Sequence, residues 1–148
     1  MGKGGREALE DVACAVRFAR TRASDYGGNP ARVTLVGWSG GAAAGAWLAL
    51  SRSHHPWLRE TDCFAEVSAL PDAFVGIGGP YSKTEFLKEE DPELWELVSP
   101  YAYIGSNPNL QVRLIHGEWD SNCPVEGAVE FHEALEAAGY DVTLTVLE

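Results

Sequence analysis

The chain has 148 residues, enough for one domain with a sizeable core, and its 45% hydrophobic content excludes a disordered protein. Its 22 acidic and 11 basic residues give a net charge of −11, which argues against nucleic acid or an anionic membrane as a partner. No apolar run approaches the length of a membrane span and the first residues do not form a signal peptide, so we expect a cytoplasmic protein.

The cysteines Cys14, Cys63 and Cys123 are odd in number and lack the spacing of a metal site. They therefore indicate neither a disulfide framework nor a zinc site. Cys14 lies beside an apolar helical stripe, where we expect a small buried residue. A bridge between Cys63 and Cys123 stays open at this point.

The first element is an amphipathic helix over residues 6–26, because apolar side chains recur there three and four positions apart. Arg17 and Arg22 lie away from its apolar stripe. Gly-Gly-Asn-Pro at residues 27–30 ends the helix and turns the chain. A β-branched run then predicts a strand over residues 32–37, and a run of small residues beyond it predicts a second helix.

Gly-Trp-Ser-Gly-Gly stands between this strand and this helix, at residues 37–41. A serine in such a turn can be held in a strained backbone conformation, and the neighbouring glycines avoid collisions of a Cβ with the strand and the helix. The start of the helix directs N–H groups and the positive end of its dipole to the same place. Ser39 is therefore predicted to be a nucleophile, and the alternative is a polar turn residue before a helix.

The next segment is a loop over residues 53–72, in which His54 and His55 are predicted to lie on the surface rather than to bind a metal. The apolar run at residues 73–79 predicts a second, buried strand. Further on, Asp-Pro-Glu at residues 91–93 marks the start of a short helix. Its aromatic, apolar face packs on the sheet or lines a pocket.

A third strand is predicted over residues 110–115, and it ends in His-Gly-Glu-Trp-Asp at residues 116–120. The next helix starts at Pro124 and is capped by Gly139. Residues 141–147 alternate between apolar and polar side chains, as a fourth strand does.

These elements predict an α/β fold with a parallel sheet of about four strands and flanking helices. In such sheets functional residues gather in the loops beyond the carboxyl ends of the strands. Ser39 and Asp120 both fall in loops of this kind.

The sequence resembles the α/β-hydrolase family, and within it the esterases and acyl-peptidase-like members, over nearly the whole chain. The likeness rests above all on the motifs at residues 37–41 and 116–120. By that resemblance Ser39 matches the nucleophile, the backbone N–H of Gly40 one oxyanion donor, and Asp120 the acid of the triad. For Asp120 the alternative is a carboxylate that caps a turn or a helix.

The family order is Ser, Asp and then His, with the histidine in the loop after the strand that here begins near residue 141. None of the four histidines has that place (His54, His55, His116 and His132). His116 matches a position that is usually structural in the family, so no catalytic role is assigned to it. The early strands and the second oxyanion donor of the family also have no counterpart. We therefore expect residues 1–148 to be a partial α/β-hydrolase domain, truncated at both ends, with the catalytic histidine beyond Glu148.

The resemblance implies a carboxylic ester hydrolase that acts on a small-molecule ester by a Ser-His-Asp acyl-enzyme mechanism, without a metal or organic cofactor. The alternatives are a serine peptidase or amidase of the same fold and, in another class, a non-catalytic binding or assembly module. The first strand would also present an open apolar edge. The isolated chain is therefore expected to show weak or no turnover and to self-associate through that edge.

Overall fold

The computed structural model describes residues 3–51, 55, 58, 62–81 and 99–148. In these ranges the helices are α1 (Lys3–Arg22), α2 (Gly40–Leu50) and α3 (Val125–Ala137), and the strands are β1 (Thr34–Trp38), β2 (Ala73–Ile77), β3 (Gln111–Gly117) and β4 (Asp141–Leu147). Two 3₁₀ helices span Ala23–Tyr26 and Pro100–Tyr103. The short helix predicted at residues 91–93 lies outside the described residues. None of the described helices is both long and apolar enough to cross a membrane.

The four strands form one sheet in the order β1-β2-β3-β4, and every pair is parallel. The register places Trp38 beside Ile77 and Ile77 beside Ile115. The carboxyl ends of β1, β2 and β3 therefore lie at the same edge of the sheet. The predicted fold class, a parallel sheet of four strands with flanking helices, is confirmed.

The main core lies between one face of the sheet and the helices α2 and α3. Strand residues alternate between the two faces, and the buried ones on this face include Phe74, Val112 and Leu114. Helix α2 can approach closely because it is rich in small residues, and a Cβ on Gly45 would lie 2.7 Å from the Phe74 ring. On α3 the ring of Phe131 is fully buried and stacks on Tyr81, with ring centroids 4.8 Å apart.

Arg17, on α1, is buried, contrary to its predicted place off the apolar side of the helix. The residue is only 4% exposed, and its Nε donates to the carbonyl oxygen of Val67 at 2.9 Å while Nη2 donates to that of Leu58. Burial lowers the pKa of the guanidinium, and the charge of Glu66 acts in the opposite direction. The apolar residues around Arg17 pack α1 against α2 (Leu9, Ala13, Val16, Trp47 and Leu48). Periodicity missed this arginine because its partners are carbonyl groups of a distant loop.

A disulfide bond joins Cys14 to Cys63, whose Cα atoms lie 5.6 Å apart, and Cys123 is a free thiol. Of the pairings left open, the one between Cys63 and Cys123 is not formed. Cys14, expected as a small buried residue, is half-buried and forms the bond instead. Phe18 and Phe64 meet edge to face beside the bond, with ring centroids 6.2 Å apart. The bond and the ring pair together attach α1 to the loop that precedes β2.

His55 is also buried, so the prediction of a surface position was wrong for this residue. It is 6% exposed and meets Trp47 and Tyr103 edge to face, with ring centroids 5.2 and 5.8 Å away. The aromatic side chains of α2 and of the 3₁₀ helix at Pro100–Tyr103 provide this apolar environment. His54 lies outside the described residues.

Candidate active site

Ser39 occupies the single residue between β1 and α2, where the chain reverses from strand to helix. Its φ of 52° and ψ of −126° lie in a region that residues with a Cβ rarely adopt. The conformation is held from both sides: the Ser39 N–H donates to the carbonyl of Ile77 at 2.9 Å, and its own carbonyl accepts from the N–H of Ala42 at 2.9 Å. The residue is exposed, and its side chain does not cap α2. The Ser39 hydroxyl is therefore not used to cap the helix.

Gly37 is the glycine that the turn requires. A Cβ built on it would overlap the carbonyl group of Gly41 and lie 2.8 Å from the Cα of Ala42, which are backbone atoms of the first turn of α2. The predicted collision is therefore present at Gly37. At Gly40 and Gly41 a Cβ would meet nothing within 4 Å, so the steric reason expected for all three glycines was wrong for these two.

The backbone N–H of Gly40 lies at the start of α2, directly after Ser39. Within the described part of the chain, no carbonyl accepts a hydrogen bond from it. Gly40 is an exposed residue next to Ser39. A free donor at the positive end of a helix dipole is suited to stabilise an oxyanion.

Asp120 lies three residues beyond β3, in the loop of residues 118–123, which we call the acid loop. Its Oδ1 accepts hydrogen bonds from the N–H groups of Asn122 and Cys123, each at 2.9 Å. Both bonds lower the pKa of the Asp120 carboxyl below its ordinary value, and the bond from Cys123 has the larger effect. The electrostatic influence of His116 lowers this pKa further. The carboxylate is therefore ionised at neutral pH, while Oδ2 accepts neither of these bonds.

Gly78 shows that the ends of three strands meet at this edge. It follows β2 with a φ of 52°, and a Cβ there would lie 3.5 Å from Oδ2 of Asp120 and 3.8 Å from Nε1 of Trp38. The residue before Ser39 and the carboxylate of Asp120 thus flank the same glycine. Sequence reasoning did not single out Gly78; the available signal was the Gly-Gly pair that follows an apolar run.

The histidines occupy three different environments. His116 is 1% exposed beneath the acid loop, its Nε2 lies 2.6 Å from the carbonyl oxygen of Cys123, and His132 lies on the outer part of α3, half-buried. His55 belongs to the aromatic cluster beside α2. In the ranges that the structure describes, no three His, Cys, Asp or Glu side chains are grouped to hold a metal ion. A catalytic histidine supplied from beyond Glu148 stays a prediction.

The acid loop makes the stability of the chain sensitive to acid. The pKa of Asp120 is lowered in the folded state, so its stabilising effect is complete above the unfolded value of about 3.9 and is lost as the pH falls through the folded value. We expect Asp120→Asn to flatten the fall of the urea midpoint between pH 6 and pH 3. Glu118→Gln, which removes a charge from the same loop without touching these bonds, is the control. An unchanged acid response in Asp120→Asn would contradict the prediction.

Comparison with known proteins shows that this chain is similar to esterases. A sequence model of the carboxylesterase family matches residues 5–61. The esterase LipQ of Mycobacterium tuberculosis is 29% identical over 147 residues, which cover 88% of this chain and 34% of LipQ. Several solved structures also match at a TM-score of 0.75 or more. An esterase from Thermogutta terrifontis has a TM-score of 0.79 at 22% identity, and the match covers 97% of this chain and 55% of that one. An acetyl ester-xyloside bifunctional hydrolase from Caldicellulosiruptor lactoaceticus has a TM-score of 0.75 at 26% identity, and the match covers 94% and 54%.

The likeness to these esterases shows that the chain has an α/β-hydrolase fold, and the resemblance inferred from the two motifs is confirmed. The chain spans about a third of the length of the curated relative and about half the length of the solved structures. The activity of a whole protein of this kind is therefore a matter for proposal and experiment.

Proposed function

We propose that this chain carries the nucleophile and the acid of a carboxylic ester hydrolase whose substrate is a small-molecule ester. The observation that carries the proposal is the backbone of Ser39, held at a φ of 52° between β1 and α2 with an exposed side chain that does not cap the helix. A strained backbone conformation costs about 1–3 kcal/mol and is typical of functional sites. The esterase relatives support ester hydrolysis as the reaction.

In the proposed mechanism, Oγ of Ser39 attacks the carbonyl carbon of the ester while its proton passes to a histidine. The electron pair of the C=O bond moves to the oxygen, which accepts a hydrogen bond from the N–H of Gly40. Collapse of this intermediate expels the alcohol, which takes the proton from the histidine, and water then releases the acid by the same steps. Asp120, ionised at neutral pH, orients the histidine and stabilises its charged form.

Labelling of Ser39 by a fluorophosphonate probe tests the proposal. The phosphorus captures the serine oxygen and fluoride leaves, so the labelled residue is identified by its added mass. We expect slow labelling that added imidazole accelerates, because imidazole supplies a base in place of the catalytic histidine. Ser39→Ala abolishes the labelling in this scheme, whereas Ser68→Ala, in an unrelated loop, leaves it unchanged. Failure of Ser39 to react even with imidazole, or labelling that survives Ser39→Ala, would overturn the proposal.

We further propose that the isolated chain associates through β1. This strand pairs with β2 alone in the described sheet, and Val36 and Trp38 on it are 60% and 76% exposed. An exposed apolar edge strand is a template for pairing with another chain. The net charge of −11 opposes that association, and salt screens the repulsion.

A charged substitution on the exposed edge of β1 tests whether the chain associates through this strand. We expect the average mass measured by sedimentation to rise with protein and salt concentration, and Val36→Lys to keep the chain monomeric. Thr143→Lys adds the same charge to β4, the opposite edge strand, and is the matched control. A wild-type chain that stays monomeric at high salt, or equal effects of the two lysines, would contradict the proposal.

A further inference from the structure

We propose that His116 is a positioning residue for Asp120, which it orients by holding the carbonyl group of Cys123. The inference rests on the proposed role of Asp120 as the acid of the site. His116 itself is 1% exposed beneath the acid loop and contacts no substrate, so it acts only through the backbone that bonds the carboxylate.

The orientation of the Asp120 carboxylate depends on the path of the acid loop. Oδ1 accepts from two N–H groups, those of Asn122 and Cys123, both at 2.9 Å. The N–H of Asp120 in turn donates to the carbonyl oxygen of Gly117 at 3.3 Å. Hydrogen bonds thus connect Asp120 to the end of β3 on one side and to Asn122 and Cys123 on the other. Displacement of Cys123 would remove the donor that contributes most to the ionised form of Asp120.

His116 fixes that end of the loop to the sheet. It lies on β3 next to Val146 of β4, so its backbone belongs to a strand paired on both sides. Its Nε2 lies 2.6 Å from the carbonyl oxygen of Cys123, which is a short hydrogen bond. The N–H of Cys123 therefore faces Asp120 while its carbonyl is held by a buried ring. The side chain of His116 thus holds the residue whose N–H binds the carboxylate of Asp120.

A direct interaction between the two side chains is weaker than this indirect one. Nε2 of His116 lies 3.9 Å from Oδ2 of Asp120, which is too long for a hydrogen bond. The carbonyl oxygen of Cys123 can only accept, so Nε2 must carry the hydrogen and donate it. Nδ1 is buried without a partner among the described residues. The geometry thus requires a hydrogen on Nε2 of the ring.

The titration of Asp120, followed by ¹³C NMR of its carboxyl carbon, tests whether His116 orients Asp120 through its hydrogen bond or only fills space beneath the acid loop. His116→Leu keeps an apolar side chain of similar volume and loses the donor, so we expect the Asp120 midpoint to rise toward that of an unbonded aspartate. His116→Gln places an amide N–H near the position of Nε2, and we expect its Asp120 midpoint to stay closer to the wild-type value than that of His116→Leu. A wild-type midpoint in His116→Leu, or equal midpoints in the two variants, would overturn the inference.

A second measurement needs no variant and decides the matter even where His116→Leu fails to fold. The ¹⁵N shifts of the His116 ring in the wild-type chain report its tautomer at neutral pH. The inference requires the Nε2–H form with a slowly exchanging proton, and an Nδ1–H form would overturn it. Neither measurement depends on catalysis. Failure of the Ser39 labelling therefore rejects the proposed function, whereas these two results reject only the role of His116.

Discussion

Replacement of both Cys14 and Cys63 by serine is expected to lower the free energy of unfolding by about 4 kcal/mol. The bond closes a loop with a sequence separation of 49, and the loss of that restraint increases the entropy of the unfolded chain. It also attaches α1 to the loop whose carbonyl groups accept the hydrogen bonds of Arg17. The loss of about 4 kcal/mol is a large part of the stability of a small domain.

Urea denaturation with and without reductant measures this effect. Reductant is expected to shift the wild-type midpoint to that of the double variant and to leave the double variant unchanged. Cys123→Ser is the control, because Cys123 is a free thiol and its partial burial raises its pKa. A double variant as stable as the wild-type chain would contradict the prediction.

Gly37→Ala is expected to lower the free energy of unfolding by about 3 kcal/mol and to abolish labelling of Ser39. The added methyl group meets the Gly41 carbonyl and the Cα of Ala42, which belong to the backbone. No side chain can rotate away, so relief of the overlap requires α2 to move from β1. That movement removes the hydrogen bonds that hold Ser39 in its strained conformation.

Gly40→Ala is the matched control for Gly37→Ala. It makes the same chemical change three residues away, at a position where a Cβ meets nothing within 4 Å. Alanine also favours a helix over glycine by roughly 1 kcal/mol, although less at an end than in the interior. We therefore expect the urea midpoint of Gly40→Ala to stay near the wild-type value or to rise slightly. Equal destabilisation by the two alanines would show that the close approach of α2 to β1 is not the cause.

The strands and the turn at Ser39 could be predicted because their signals are local. A run of β-branched residues predicted residues 32–37, and the observed strand β1 is Thr34–Trp38. The fourth strand was predicted over residues 141–147 and is Asp141–Leu147. Alternation and glycine placement follow from the geometry of a single segment, so they are readable without knowledge of the rest of the chain.

The contacts between distant segments could not be predicted in this way. Three cysteines allow several pairings, and only the packing of α1 beside the following loop brings Cys14 to Cys63. The burial of Arg17 depends on carbonyl groups 41 and 50 positions away along the chain. The bonds around Asp120 are local, but its nearness to Trp38 depends on the register of three strands.

The order of the strands in the sheet is their order in the chain. Each of β2, β3 and β4 therefore finds a partner already synthesised when it leaves the ribosome, and this sheet can grow by one strand at a time in the direction of translation. Cys14 and Cys63 both precede β2, so their bond can form before any strand has paired. The covalent link can thus secure α1 and the first loop while the later strands are still being made. Among the four described strands, none has to separate from its neighbour to let a later one insert.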